Sequence, residues 1–289
     1  MHGIETLGTN IQQVVVQDVA RQDYIIWMIA VFFMSILIIG GKQGIKAILG
    51  LIVTILAIYF IMISYIYQGY SPILMSVITS IGIIAVTFII IAGFNKKAFT
   101  AAIGTAGGVM LSGVIAFIFG NLAKLSGGGE EAIMLSMSAG NIAFNFRELL
   151  FAGIVIASLG ACMDVGMSIA SSLDELKQKN PNMTGKELFK SGMNIGGDVI
   201  GTMTNTLILA YVGGALNLIL LFMASDMGFS NIINKETIAS DVISALAGSI
   251  GVLYTVPITA AVYAIFNRGK TAYRKESQNI VEGKRSLKL

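Results

Sequence analysis

The chain has 289 residues, 55% of them hydrophobic and only 12% charged, with a mean hydropathy of +0.80 and a formal net charge of +3. That balance excludes an ordinary soluble domain and predicts an integral membrane protein. Its one histidine, His2, lies in a stretch expected to be mobile, and its one cysteine is Cys162, so a histidine metal cage, a Ser/His/Asp triad and an internal disulfide are excluded as well.

Residues 1–23 are mostly polar and carry Glu5, Asp18, Arg21 and Asp23. They lack the basic start of a signal peptide, so they are expected to stay as an extracytoplasmic segment. Apolar runs follow at about 24–41, 45–67, 73–93, 102–123, 148–170, 195–224 and 242–266. Each is near or above the roughly 20 residues that cross a bilayer. This predicts an all-α polytopic membrane helix bundle of about seven transmembrane helices filling 24–266. Residues 267–289 form a basic tail, expected to be cytoplasmic and solvated.

Lysine and arginine placement sets the orientation. With the tail inside, 15 of the 19 basic residues fall on the cytoplasmic side, leaving Arg21, Lys124, Arg147 and Lys235 outside. The expectation is N-out, C-in. In the outer segment 125–147, Ser126-Gly127-Gly128-Gly129 reads as a joint and Glu130-Glu131 as the acidic first turn of a helix lying along the interface. The inner segment 171–192 carries two capping-box patterns, Ser172-x-x-Glu175 and Thr184-x-x-Glu187, around Asn180-Pro181. It is expected to fold as a short helix, a turn and a second short helix.

Two runs each hold a lone acid, Asp164 and Asp198. A carboxylate at bilayer depth costs roughly 2.5–3.5 kcal/mol on insertion scales, so each marks a candidate functional site. On the fifth run Gly153, Ala157, Gly160, Ala161, Asp164 and Ser168 share one helix face. Small faces allow close helix approach in lipid, so Asp164 is expected to point into the bundle. On the sixth, Asn194, Asp198, Gly201, Thr202 and Asn205 share a face; the seventh adds Ser244, Gly248, Gly251, Thr255 and Thr259. Antiparallel helices put both acids in the cytoplasmic half at similar height, where a shared site would need a proton, a cation, or hydroxyls such as Thr202 and Ser168.

The candidate substrate- or ion-binding residues are therefore Asp164, Ser168, Asn194, Asp198, Thr202 and Asn205, with no cofactor and no nucleic acid expected. The reading adopted is a transporter or transport-complex subunit that uses Asp164 and Asp198 for cation or proton coupling. A structural subunit of a membrane complex is the alternative, and an intramembrane aspartyl hydrolase the third reading. Against the third, Met163 precedes Asp164 where such proteases place Tyr, and Val256-Pro257-Ile258 replaces their Pro-Ala-Leu. Gly196-Gly197 predicts local irregularity, Pro257 a kink, and Gly104 to Gly108 membrane packing rather than a phosphate loop.

Asn145-Phe-Arg147-Glu-Leu149, Met163-Asp164-Val-Gly-Met-Ser168 and Gly192-Met-Asn194-Ile-Gly196-Gly-Asp198 with Thr204-Asn205-Thr206 resemble the signature of the YibE/F-like family of bacterial multi-pass membrane proteins, most closely over 140–270. The resemblance implies a shorter, YibF-type member without the extracytoplasmic domain of longer relatives. It implies a bacterial plasma membrane and, besides the lipid bilayer, a YibE-type paralogous chain as partner. Relatives often place a basic residue where this chain has Gly197. The resemblance names no reaction.

Overall fold

From Thr100 onward a small residue recurs at every fourth position: Gly104, Gly108, Ser112, Ala116 and Gly120. Residues four apart form one ridge on a helix, and this ridge is the seam of the fold. In the computed structural model, which describes residues 21–138, 144–225 and 227–286, all six are buried on one helix. Side chains at 130–131 and 268–286, and residues 1–20 of the expected segment 1–23, lie outside that description.

Every element among the described residues is a helix. The order is α1 (Gln22–Ala57), a π-helical turn (Ile58–Ile63) running into α2 (Ser64–Tyr67), α3 (Pro72–Ala92), α4 (Lys96–Leu122), α5 (Glu130–Ser138), α6 (Phe146–Lys179), α7 (Gly185–Ala224), α8 (Phe229–Ile233) and α9 (Glu236–Ser286). Among the described residues six helical stretches are long and apolar enough to cross a membrane, the first being Gln22–Tyr67. That first stretch contains both of the runs expected at 24–41 and 45–67. Gly41 breaks it with φ 50° and ψ −126°. A methyl group on Gly44 would fall 2.3 Å from the Ile36 carbonyl oxygen. Residues eight apart on a straight helix are separated by about 12 Å along the axis, so the chain reverses at Gly41, a turn that only glycine makes without strain.

The chain divides into two units, Met1–Leu51 and Ile52–Leu289. The second has its core between α3, α4, α6 and α9, where Ile83, Phe88, Val165, Ile169, Leu173, Val252, Val256 and Tyr263 are buried. The seam itself is α4 against α9. A methyl on Gly104 would lie 1.8 Å from Thr259 Oγ1, one on Gly108 1.9 Å from Thr255 Oγ1, and one on Gly251 2.8 Å from Ser112 Cβ. As one residue number rises by four its partner falls by four, so the helices are antiparallel and their backbones touch along the small-residue ridge. In lipid, where no hydrophobic force pushes helices together, such close packing is the main attraction. Thr105 Oγ1 adds an interhelical bond, donating to the Cys162 carbonyl at 3.2 Å.

The ends of this unit are tied by polar contacts. Gly127, at φ 72°, turns the chain after α4 so that Ser126 N and Gly127 N donate to Glu236 Oε1 at 2.6 and 2.8 Å. Arg147 Nε donates to the Leu125 carbonyl at 2.8 Å. At the other end Lys177 Nζ donates to the carbonyls of Pro181 and Met183. Tyr263 Oη donates to Asp174 Oδ1 at 2.9 Å, joining α9 to α6.

The helix expected at Glu130 forms as α5, and the Thr184/Glu187 capping box is present with both of its bonds. Two local expectations are corrected. α6 continues through Ser172 to Lys179, so only one helix precedes the Asn180-Pro181 turn and no cap forms at Ser172. α7 is helical through Gly196-Gly197 because Gly196 is used for packing, its place for a methyl lying 2.1 Å from Val256 Cγ1. α9 holds Pro257 within it and extends from Glu236 to Ser286.

Candidate functional site

The rotation of α6 is set by what it buries. Cys162 and Gly166 face the α4–α9 seam, and a methyl on Gly166 would fall 2.5 Å from Thr105 Oγ1. Phe151, Val155, Leu159, Ile169 and Leu173 are buried with them. Asp164 is two residues from both Cys162 and Gly166, about 200° around the helix. It therefore stands on the opposite face and is exposed, as are Gly153, Ala157, Gly160 and Ser168.

α7 repeats the geometry. Gly192 and Gly196 seat it on α9, with methyl positions 2.7 Å from Ala260 Cβ and 2.1 Å from Val256 Cγ1. Two residues beyond each, Asn194 and Asp198 turn outward and are exposed, with Gly197, Gly201, Thr202 and Asn205. A methyl on Gly153, Gly160, Gly197 or Gly201 would meet nothing within 4 Å.

The expectation that Asp164 points into the bundle is thus corrected. The same kind of small-residue signal marks faces on α4, α6, α7 and α9, but the stripe of α9 is used by α4. The acid-bearing stripes of α6 and α7 are left open by the described residues of Ile52–Leu289. Neither carboxylate accepts a hydrogen bond from any described residue or forms an ion pair with one. Thr202 Oγ1 donates to the carbonyls of Val199 at 3.1 Å and Asp198 at 3.3 Å, so its proton serves its own helix. The six candidates share one property, outward exposure on α6 or α7, rather than a common buried pocket.

Sequence reasoning missed two polar groupings. One is Asp174 with Tyr263, whose separation of 89 positions left no local signal. The other surrounds Glu148, whose side chain accepts from Ser71 Oγ and from Asn145 Nδ2. Here a signal existed: Asn145 is three residues before Glu148, a helix-start pattern, and Asn145 Oδ1 does accept from the Glu148 backbone.

Helices of this length and hydropathy, with acids on two of them, define a polytopic all-α membrane protein. The chain belongs to the YibE/F-like protein family, whose model matches residues 28–269. The match reaches well upstream of 140–270, where the signature residues lie. No curated protein and no solved structure matches the chain.

Proposed function

We propose that the chain is one subunit of a transport complex in a bacterial plasma membrane, and that a second membrane chain, a YibE-type relative, covers the open stripes of α6 and α7. The observation that carries this reading is the outward exposure of Asp164 and Asp198 among small and polar neighbours. Against lipid each carboxylate would cost about 2.5–3.5 kcal/mol. Exposed glycines would forgo the close helix contact that favours them in membranes. A partner helix on each stripe removes both costs, and paired acids at such an interface suit a cation or proton path. No residue is assigned a catalytic role.

Two experiments test the proposal. Cysteines at Gly160 and Gly201 should cross-link to the partner chain in native membranes. In liposomes holding both chains and a pH-sensitive dye, Asp164→Asn and Asp198→Asn should each slow proton movement by about tenfold or more, with melting temperature unchanged. Cross-links without any change in proton movement would sink the coupling role. They would favour the structural-subunit reading, which the open glycines also support; a cleaved membrane substrate would instead indicate the hydrolase.

The orientation proposed is N-out, C-in, from the basic-residue bias. Cysteines at Gly128 and Gly283 should then label from opposite sides of sealed vesicles, and labelling of both from one side would overturn it.

A further inference from the structure

Where α2 gives way to α3 and α6 begins, the chain forms an open cavity of about 240 Å³ lined by Tyr70, Ser71, Phe144, Asn145 and Glu148, with Ile66 as its apolar wall. Glu148 is the one carboxylate among its lining residues. The carboxylate is half-buried and takes neutral donors only, the Ser71 hydroxyl and the Asn145 amide. Arg147, next in sequence, is committed elsewhere: its guanidinium donates to the Leu125 carbonyl and to Asn121 Oδ1. The negative charge in the cavity is therefore not neutralised by any described residue.

The walls beside it are aromatic. Tyr70 packs edge-on against Tyr65 at 5.4 Å, and Phe144 lies 6.4 Å from Tyr67, so both lining rings are held by further rings. A carboxylate with aromatic rings around one void is the set that recognises an organic cation, by charge and by cation–π attraction together. The space is several times the ~30 Å³ share of a liquid water, too roomy for one carboxylate to hold a bare metal ion, which asks for a close shell of ligands. No group of three or more His, Cys, Asp or Glu residues that could hold a metal occurs among the described residues. Its place is the polar boundary of the span, just before Pro72 and in the first turn of α6.

We propose that this cavity binds an alkylammonium group, supplied by a free solute or by the head group of a membrane lipid. Glu148 supplies the counter-charge, Tyr70 and Phe144 the aromatic walls.

The test uses the purified full chain in neutral detergent, titrated calorimetrically with choline chloride against matched potassium chloride. Saturable choline binding is expected, about tenfold weaker in Glu148→Gln and about fivefold weaker in Phe144→Leu. Glutamine retains an acceptor for Ser71, and melting curves verify the fold. Nanodiscs then separate the sources. If a lipid head group is the ligand, phosphatidylethanolamine raises the melting temperature above that in phosphatidylglycerol for the wild type and not for Glu148→Gln. A free solute predicts equal choline binding in both lipids. Absence of saturable choline binding together with absence of a Glu148-dependent lipid effect overturns the proposal. Should Glu148→Gln fail to fold, Tyr70→Leu and Phe144→Leu decide it, and full-strength binding in both overturns it.

Discussion

Gly108→Leu is expected to keep the chain from accumulating as a folded membrane protein. Even a methyl group there would sit 1.9 Å from Thr255 Oγ1 and 2.6 Å from the Gly251 carbonyl oxygen. The second of these is backbone and cannot rotate away, so α4 and α9 must separate. Overpacking usually costs about 1–3 kcal/mol; forcing apart a backbone contact should cost about 3 kcal/mol or more. The matching control is Gly197→Leu, where nothing lies within 4 Å. It should leave the melting temperature of the isolated chain unchanged and weaken only association with a partner. Equal stability of both variants, measured by steady-state level and thermal melting in detergent, would show that the α4–α9 seam does not exist.

Tyr263→Ala should be the most damaging truncation at the other end. Tyr263 is 2% exposed, and its ring is the largest of the fully buried side chains. Removing it leaves a cavity, for which aromatic-to-alanine changes cost about 3–5 kcal/mol. Tyr263→Phe isolates the hydroxyl that donates to Asp174 Oδ1 and should cost about 1 kcal/mol. Denaturant unfolding of the two variants gives both numbers. A loss in Tyr263→Phe as large as in Tyr263→Ala would mean that the hydrogen bond, not the packing, holds the helices there.

Much of the fold was legible because its signals are local. Apolar runs located the membrane helices, Asn180-Pro181 located the α6–α7 turn, and Thr184 with Glu187 located the start of α7. The reversal near Gly41 was legible as a short connection, though its execution by one residue inside a helical run was not. The direction in which Asp164 and Asp198 face was not legible. A stripe of glycine, alanine and serine reads the same whether it is filled by the chain itself, as Gly104 and Gly108 are, or left open, as Gly160 and Gly201 are. What distinguishes them is the residue on the far side of the gap. For α4 that residue is Thr255 or Thr259, some 150 positions away in sequence. The candidate residues were therefore chosen by residue type, and their surroundings were misjudged. The Glu148 cavity went unread because Tyr70 and Glu148 are ordinary residues until the fold brings their segments together.

The even spacing along α4 also makes alternative alignments nearly degenerate. Sliding the helix by one step of four residues, about 6 Å, in one sense would bring Gly104 opposite Thr255 and Gly108 opposite Gly251, again small against small. In the other sense Gly104 would collide with the ring of Tyr263. A uniform ladder of this kind cannot choose its own rung, so the choice between the tolerated registers must be made where the ladder is not uniform. The Glu236 carboxylate gripping Ser126 and Gly127, and the Phe151 ring seated on Gly120, do that work. The seam supplies adhesion, and these end fittings act as the pawl that fixes which tooth engages.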